Sequence, residues 1–330
     1  NSFTDISGAN SITFDPSLLA TTTDFRRVAL SDFNGVQCID VSNFVTIAVD
    51  PLPVATLTGT STACVGEAIQ FTASGGVSYE FMRNGITFVG PSASNVATTT
   101  TNNGDQITVA VTNTDSCTAV SAPIVMSVSN PPAAALSSGL TAETMCVGDF
   151  PIFTASPGSV GLTYTFYVNG GIQTTGVTTN SFNTQLAGVN LTDGAIVLVE
   201  VSNADGCTGS ASLTIRVNGL TGANTITGSQ TICSGGDPTI LNDFSTPTAN
   251  LAADGATLSY QWQQRTAGNA FADIPGATAI TYDPSVLSTT TAYRRSVFSS
   301  INGVQCPSNV ASASSNVVTI TVDPASVPVV

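Results

Sequence analysis

The side chains most able to do covalent chemistry are the seven cysteines, because the chain has seven arginines but no lysine and no histidine. Without histidine the commonest general base is missing, and without lysine there is no amine nucleophile. A serine–histidine–aspartate site, a cysteine–histidine site and the usual zinc sites are therefore excluded. Chemistry based on carboxylates alone, as in glycosidases, remains open in principle. We expect no catalytic residue, no cofactor and no enzyme activity.

The cysteines occur in two sequence contexts that alternate along the chain. Three open a unit with a glycine and an acidic residue just after them: Cys64, Cys146 and Cys233. Four follow an asparagine-containing turn: Cys38, Cys117, Cys207 and Cys306. The simplest pairing stays within each unit, as Cys64–Cys117, Cys146–Cys207 and Cys233–Cys306, with the partner of Cys38 upstream of residue 1. The alternative, that the cysteines are small buried thiols, gives no reason for the alternation.

Disulfides predict an oxidising location outside the cytoplasm. Each bond within a unit would stabilise it by about 4 kcal/mol in the chain-entropy model. Because the first cysteine precedes the second strand and the last follows a late turn, we expect the bond near one end of the unit, at a junction.

A long internal duplication sets the organisation of the chain. Residues 1–38 align without a gap to residues 269–306, and 23 of 38 positions are identical. Residues 1–50 therefore resemble the C-terminal half of a module whose complete copy is residues 218–324. Two shorter modules, 51–131 and 132–217, lie between them, and residues 325–330 would start the next one. A string of independent domains in a longer chain is predicted, because the period far exceeds that of a solenoid.

Each module shows short strands separated by frequent turn signals. In residues 51–131, apolar and polar residues alternate at Ala68–Thr72, Val77–Arg83 and Asp105–Val111, as in half-buried strands. Asn84-Gly85 predicts a tight hairpin, and Asn169-Gly170 repeats that signal in the next module. The predicted fold class is all-β, with tandem immunoglobulin-like β-sandwich modules in an elongated array.

An aromatic pair recurs at one position in every module: Tyr79 and Phe81, Tyr164 and Phe166, Tyr260 and Trp262. In an immunoglobulin-like sandwich this position carries the core aromatic residue of the third strand. We therefore predict Phe81, Phe166 and Trp262 to be core residues. The alternative is an exposed aromatic platform for sugars, for which one tryptophan in 330 residues is poor provision.

Charged residues offer two further candidate sites. Acidic residues near the junctions, Asp50 and Asp323 among them, could hold calcium between modules, but no dense acidic run is present and aspartate also favours turns. We therefore predict no metal site, with calcium at these two residues as the alternative. Arg294 and Arg295, with their counterparts Arg26 and Arg27, lie on one predicted strand and face opposite sides. We expect ion pairs or aromatic stacking from them, not ligand binding.

The net charge of −14 excludes several partners. Nucleic acid and anionic lipid would both be repelled. No apolar stretch approaches the roughly 20 residues of a membrane-spanning helix, so we expect no membrane insertion. The expected partners are neighbouring repeats of the same chain, possible accessory surface proteins, and surface glycans or a substratum at an unseen tip.

The motifs together resemble a known group of surface proteins. The pattern is Cys-x-Gly-acid, then Tyr-x-aromatic, then Asn-x-Asp-[Gly/Ser]-Cys and a final Val-x-Val. It is similar to the immunoglobulin-like and PKD-like repeats of very large surface proteins of Bacteroidota. Residues 260–263, 274–277 and 289–295 resemble repeats of giant gliding-motility adhesins of the SprB type, exported by type IX secretion. The resemblance implies a cell-surface adhesion filament anchored at the outer membrane by other parts of the chain, and no catalytic residues.

The predicted function is thus a structural repeat segment of a giant adhesin filament used for gliding motility and surface attachment. Two alternatives stay open. One is an array of carbohydrate- or protein-binding modules, and the other is a passive spacer in a large secreted enzyme.

Overall fold

The computed structural model describes residues 2–307 and 314–323, and the further repeat predicted to start at 325–330 lies outside them. The described residues are β-strands and loops with one 3-10 helix, Ala252–Asp254. They divide into two compact units, residues 1–130 and 131–330. Within the described residues, no helix has the length and apolar character needed to cross a membrane.

A β-hairpin dominates the first fifty residues. Strands β1 (Thr23–Phe33) and β2 (Val36–Ile47) pair antiparallel across the Asn34-Gly35 turn. Most of their side chains are exposed, including apolar ones such as Leu30 and Phe44. The equivalent strand of the second copy has every other side chain buried, because other strands of its module cover it.

Ten strands form the module of residues 51–131. They are β3 (Thr56–Thr58), β4 (Thr62–Cys64), β5 (Ala68–Ser74), β6 (Ser78–Arg83), β7 (Ile86–Ser92), β8 (Val96–Thr100), β9 (Gln106–Thr112), β10 (Thr118–Val120), β11 (Ile124–Val125) and β12 (Ser127–Ser129). One sheet has the order β3-β5-β8 and the other β10-β9-β6-β7, with β11 also on β9. Strand β4 pairs in parallel with β12. The two sheets enclose an apolar core, so the module is a β-sandwich.

The module of residues 132–217 repeats this plan with nine strands. They are β13 (Ala135–Ser137), β14 (Thr144–Cys146), β15 (Ile152–Ser156), β16 (Thr163–Val168), β17 (Gly171–Val177), β18 (Ser181–Asn183), β19 (Ile196–Ser202), β20 (Thr208–Thr214) and β21 (Arg216–Asn218). The sheets have the orders β13-β15-β18 and β17-β16-β19-β20, and β14 pairs in parallel with β21. The predicted turns Asn84-Gly85 and Asn169-Gly170 are present in the two modules, with positive φ at all four residues.

The larger module begins at β22 (Leu220–Thr221). It continues with β23 (Thr225–Thr227), β24 (Gln230–Cys233), β25 (Asn242–Ser245), β26 (Thr248–Ala249), β27 (Thr257–Thr266), β28 (Ala272–Asp273), β29 (Thr291–Ile301), β30 (Val304–Pro307) and β31 (Val318–Asp323). Its main sheet has the order β24-β31-β29-β27-β28, with β30 also on β29. Strand β24 pairs in parallel with the last strand, β31. The same parallel closure therefore occurs in all three modules.

Each module has its own apolar core. Phe81, Phe166 and Trp262 are fully buried, one in each core. The three rings lie on equivalent strands, β6, β16 and β27. These strands pair with β9, β19 and β29 respectively. These rings are therefore core residues, and none is available as an exposed platform for sugars.

Candidate functional site: the junction between two modules

The most distinctive chemistry of the chain lies where the module 132–217 meets the module 218–324. A disulfide joins Cys146 of the first module to Cys306 of the second, with 5.4 Å between their Cα atoms. Cys146 ends β14, and Cys306 lies on β30 just after the Asn302-Gly303 hairpin turn. Both cysteines are buried. The bond is therefore part of an interface between neighbouring modules.

This bond overturns the predicted pairing within modules. Cys146 is bonded to Cys306 and not to Cys207, which is itself disulfide-bonded. Cys117 and Cys233 are free thiols, so neither the Cys64–Cys117 nor the Cys233–Cys306 bond is formed. Cys64 is disulfide-bonded, and Cys38 is a free thiol.

The physical reason is that the two cysteines of one module lie at opposite ends of its last strand. Cys207 directly precedes β20, where that strand begins, and Cys146 pairs with Asn218, where its continuation β21 ends. Asn218 comes eleven positions after Cys207 along a largely extended chain, which corresponds to roughly 35 Å. A disulfide needs Cα atoms about 5.5 Å apart. The first cysteine can therefore reach only the module that follows.

A buried polar contact accompanies the disulfide. The side-chain nitrogen of Asn218 donates to the carbonyl oxygen of Ser299 at 3.0 Å, and the Ser299 hydroxyl donates to Asn218 Oδ1 at 2.6 Å. Both residues have no exposed surface. Asn302 Nδ2 also donates to Thr144 Oγ1 at 3.2 Å. Since an unpaired buried polar group is costly, these contacts favour one relative placement of the two modules.

Arg216 forms an ion-pair network at the edge of the same junction. Its Nε lies 3.1 Å from Asp193 Oδ1 in its own module, and its Nη2 lies 2.6 Å from Asp254 Oδ2 in the next. The hydrogen bond with Asp193, together with the charges of both carboxylates, raises the pKa of Arg216 above its ordinary value. Because these side chains are a third or more exposed, the network contributes little stability. It does add a charged link across the junction.

Close backbone approach is required at Gly219, the residue that connects the two modules. Its carbonyl oxygen accepts a hydrogen bond from the Asn250 amide at 3.0 Å. A Cβ added there would lie 2.5 Å from Val147 Cγ2 and 3.0 Å from Asn250 Nδ2. A side chain at this position would force the side chains of Val147 and Asn250 to shift.

The arginine pair lies inside the larger module and away from any ligand surface. Arg295 is fully buried, with Nη2 2.7 Å from Asp243 Oδ1 and 2.7 Å from Asn224 Oδ1. Arg294 faces the other side, where its Nε donates to Gln263 Oε1 at 2.6 Å and its guanidinium lies over Phe271. The predicted ion pair and aromatic stacking are both confirmed. The equivalent Arg26 lies over Phe3.

The two candidate calcium residues contact other groups through their backbone carbonyl oxygens. Asp50 is exposed and its carbonyl oxygen lies 3.9 Å from the Cys117 sulfur. Asp323 closes the parallel pair with Cys233, and its carbonyl oxygen accepts from the Ser234 amide at 3.0 Å. Across residues 2–307 and 314–323, no three acidic, cysteine or histidine side chains are grouped as metal ligands.

Sequence reasoning missed the junction residues Asn218, Ser299 and Asn302. One signal was present, because residues 31, 34 and 38 repeat the serine, asparagine and cysteine of residues 299, 302 and 306. In the larger module this set makes the contacts with the preceding module. The neighbouring apolar positions differ between the copies, as with Leu30 and Phe298.

Comparison with known proteins gives one family match. The model of a family described as a domain of unknown function (DUF8696) matches residues 222–324, which is less than half of the chain. No curated protein sequence matches the chain.

Several solved structures of tandem-domain proteins are similar to it. The three N-terminal domains of the bacteriophage RB49 outer capsid protein Hoc align with 13% identity and a TM-score of 0.41, covering 83% of this chain and 99% of that one. A structure from a 1.5-MDa bacterial ice-binding adhesin aligns with 14% identity and a TM-score of 0.32, covering 84% and 100%. The eight N-terminal immunoglobulin domains of DSCAM align with 11% identity and a TM-score of 0.40, covering 92% of this chain and 40% of that one. None of these likenesses bears on function.

Proposed function

We propose that this chain is a structural, non-catalytic segment of a long adhesin filament on the cell surface. The observation that carries the proposal is the disulfide between Cys146 and Cys306, which joins neighbouring modules and not the two sheets of one module. A bond in that position does nothing for chemistry on a ligand. It does keep two modules attached when tension is applied along the chain.

The same bond supports a location outside the cytoplasm. Structural disulfides persist outside the reducing cytoplasm. With a net charge of −14, the modules also repel one another and other acidic surfaces, which favours solubility of a long chain.

The finer part of the proposal is a role in gliding motility and attachment, in an adhesin exported by type IX secretion. It is supported by the resemblance of residues 260–263, 274–277 and 289–295 to the repeats of such adhesins. Tension is the load that a filament moved along the envelope would carry, and a junction held by a covalent bond suits that load.

The test is the size and location of the native parent chain, measured with an antibody to this segment on fractionated cells. We expect a surface-exposed band many times the mass of the segment, released by surface proteolysis of intact cells. A small secreted protein would contradict the proposal and would direct attention to a catalytic domain beside these modules. Saturable binding of the segment to a defined glycan would instead favour a binding array.

A further inference from the structure

We propose that the bond between Cys146 and Cys306 is one instance of a general rule, in which the first cysteine of each module bonds to the last cysteine of the module that follows. Cys233 then bonds to the module after residue 323, and Cys38 and Cys117 bond to modules before their own. The inference rests on the proposed function in one respect, since it takes the chain as part of a longer array.

The first cysteines occupy equivalent positions in all three modules. Each ends a short strand that pairs in parallel with the last strand, so that Cys64 lies opposite Ser129, Cys146 opposite Asn218 and Cys233 opposite Asp323. The next residue then donates its amide to the carbonyl oxygen of that opposite residue, at 3.0, 2.9 and 3.0 Å respectively. Cys233 therefore occupies the same position in its module as Cys146 does in the preceding one, beside the C-terminal end of the last strand.

The last cysteines fall into two equivalent pairs, each just after the turn that follows a long strand. The backbone amides of Cys117 and Cys207 each donate, at 2.9 Å, to the side-chain oxygen of the asparagine four residues earlier. Cys38 pairs with Ser31 in the same register in which Cys306 pairs with Ser299. Cys117 and Cys207 directly precede β10 and β20, and Cys38 and Cys306 lie near the start of β2 and β30.

Cys146 and Cys306 belong to neighbouring modules and are bonded to each other, as the rule requires. Cys38, Cys117 and Cys233 are free thiols, and each needs a partner outside residues 1–330. Pairing within modules would instead leave only Cys38 free.

The mechanical consequence is that two covalent connections cross each junction. One is the backbone and the other is the disulfide, so a single cut in a linker leaves the array joined. Bond formation removes two protons and two electrons from two thiols. A disulfide oxidant accepts the electrons and is reduced to two thiols.

The test uses the order of modules in the sequence, in which a module of the 51–131 type follows the larger module. A chain of residues 1–323 followed by a copy of residues 51–131 places a new last cysteine after Cys233. The chain is oxidised with glutathione disulfide, alkylated at low pH and digested with trypsin, which cleaves here only at arginine. The peptide 217–265 contains Cys233, and the peptide 84–131 of the copy contains its Cys117.

We expect these two peptides to be joined before reduction and separate after it. In the matched control Cys233→Ser, the copy's Cys117 should be recovered alkylated. A bond between the two cysteines of the copy, or alkylated Cys233, would overturn the rule. Peptide mapping of the native parent protein gives a second measurement that does not depend on folding of the extended chain, and a free Cys233 there would also overturn it. A short parent protein would count against the proposed function, whereas the result for the extended chain would stand.

Discussion

Removing the junction disulfide should strongly destabilise the larger module. The perturbation is the double variant Cys146→Ser/Cys306→Ser, which leaves no unpaired sulfur at the junction. The bond closes a loop with a sequence separation of 160 residues. For a loop of that length the chain-entropy model gives a loss of about 5 kcal/mol in the free energy of unfolding. The estimate changes little with loop length, because the dependence is logarithmic.

The chain contains its own reporter for this experiment. Trp262 is the one tryptophan of the sequence, and it is fully buried in the core of the larger module. Its fluorescence in guanidinium chloride therefore follows unfolding of that module alone. With a denaturant dependence of about 4 kcal/mol per molar for a domain of this size, the midpoint should fall by about 1 M.

The control is the double variant Cys117→Ser/Cys233→Ser, which removes two thiols that the structure shows as free. Its midpoint should match that of the parent chain. Bonding within modules makes the opposite prediction, because Cys233→Ser would then break the bond of the larger module. Equal midpoints for the parent chain and Cys146→Ser/Cys306→Ser would refute the reasoning.

Three further predictions use the same unfolding measurement, in chains whose free cysteines are replaced by serine. Arg295→Leu should lower the free energy of unfolding of the larger module by about 3–5 kcal/mol, because it removes one partner of a buried ion pair. Arg294→Leu, on the opposite face of the strand, should lower it by less than half as much. Similar losses for the two variants would contradict the burial of Arg295. Burial raises the pKa of Tyr293 to about 12, above the ordinary value near 10. The unfolded chain therefore loses this proton first, and stability that is complete below pH 10 should fall by up to about 3 kcal/mol as pH rises to 12, a fall that Tyr293→Phe should reduce. Asn218→Ala and Ser299→Ala should each lose about 1–3 kcal/mol, and a double-mutant cycle should show coupling of about 1 kcal/mol; additive losses would show that the two side chains do not interact.

Much of the fold of each module is readable from local sequence. Alternation over Ala68–Thr72 predicted the strand β5, which runs Ala68–Ser74 with every second side chain buried. Asn84-Gly85 predicted the hairpin that follows β6, because both residues tolerate positive φ. The core position of Trp262 followed from its place in the repeated aromatic pair. These features depend on neighbours within a few residues, so the sequence specifies them directly.

The disulfide connectivity required the tertiary structure. Alternating cysteine contexts predict that bonds exist, but several connectivities fit any such set. The choice depends on which end of the sandwich each sulfur occupies. That position is set by the parallel pairing of β14 with β21, a contact between segments about 70 residues apart.

The sequence by itself determined the module type, the repeat, the core aromatic residues and an oxidising location. Composition, short-range alternation and turn residues act locally, and they are the same whatever lies next to a module. Only the tertiary structure decided that Cys146 bonds to Cys306, that Asn218 and Ser299 form a buried pair, and that Gly219 packs closely against Val147 and Asn250. All three features belong to a junction between modules. They exist only when folded modules stack, because each needs atoms from two chain segments that no local pattern brings together.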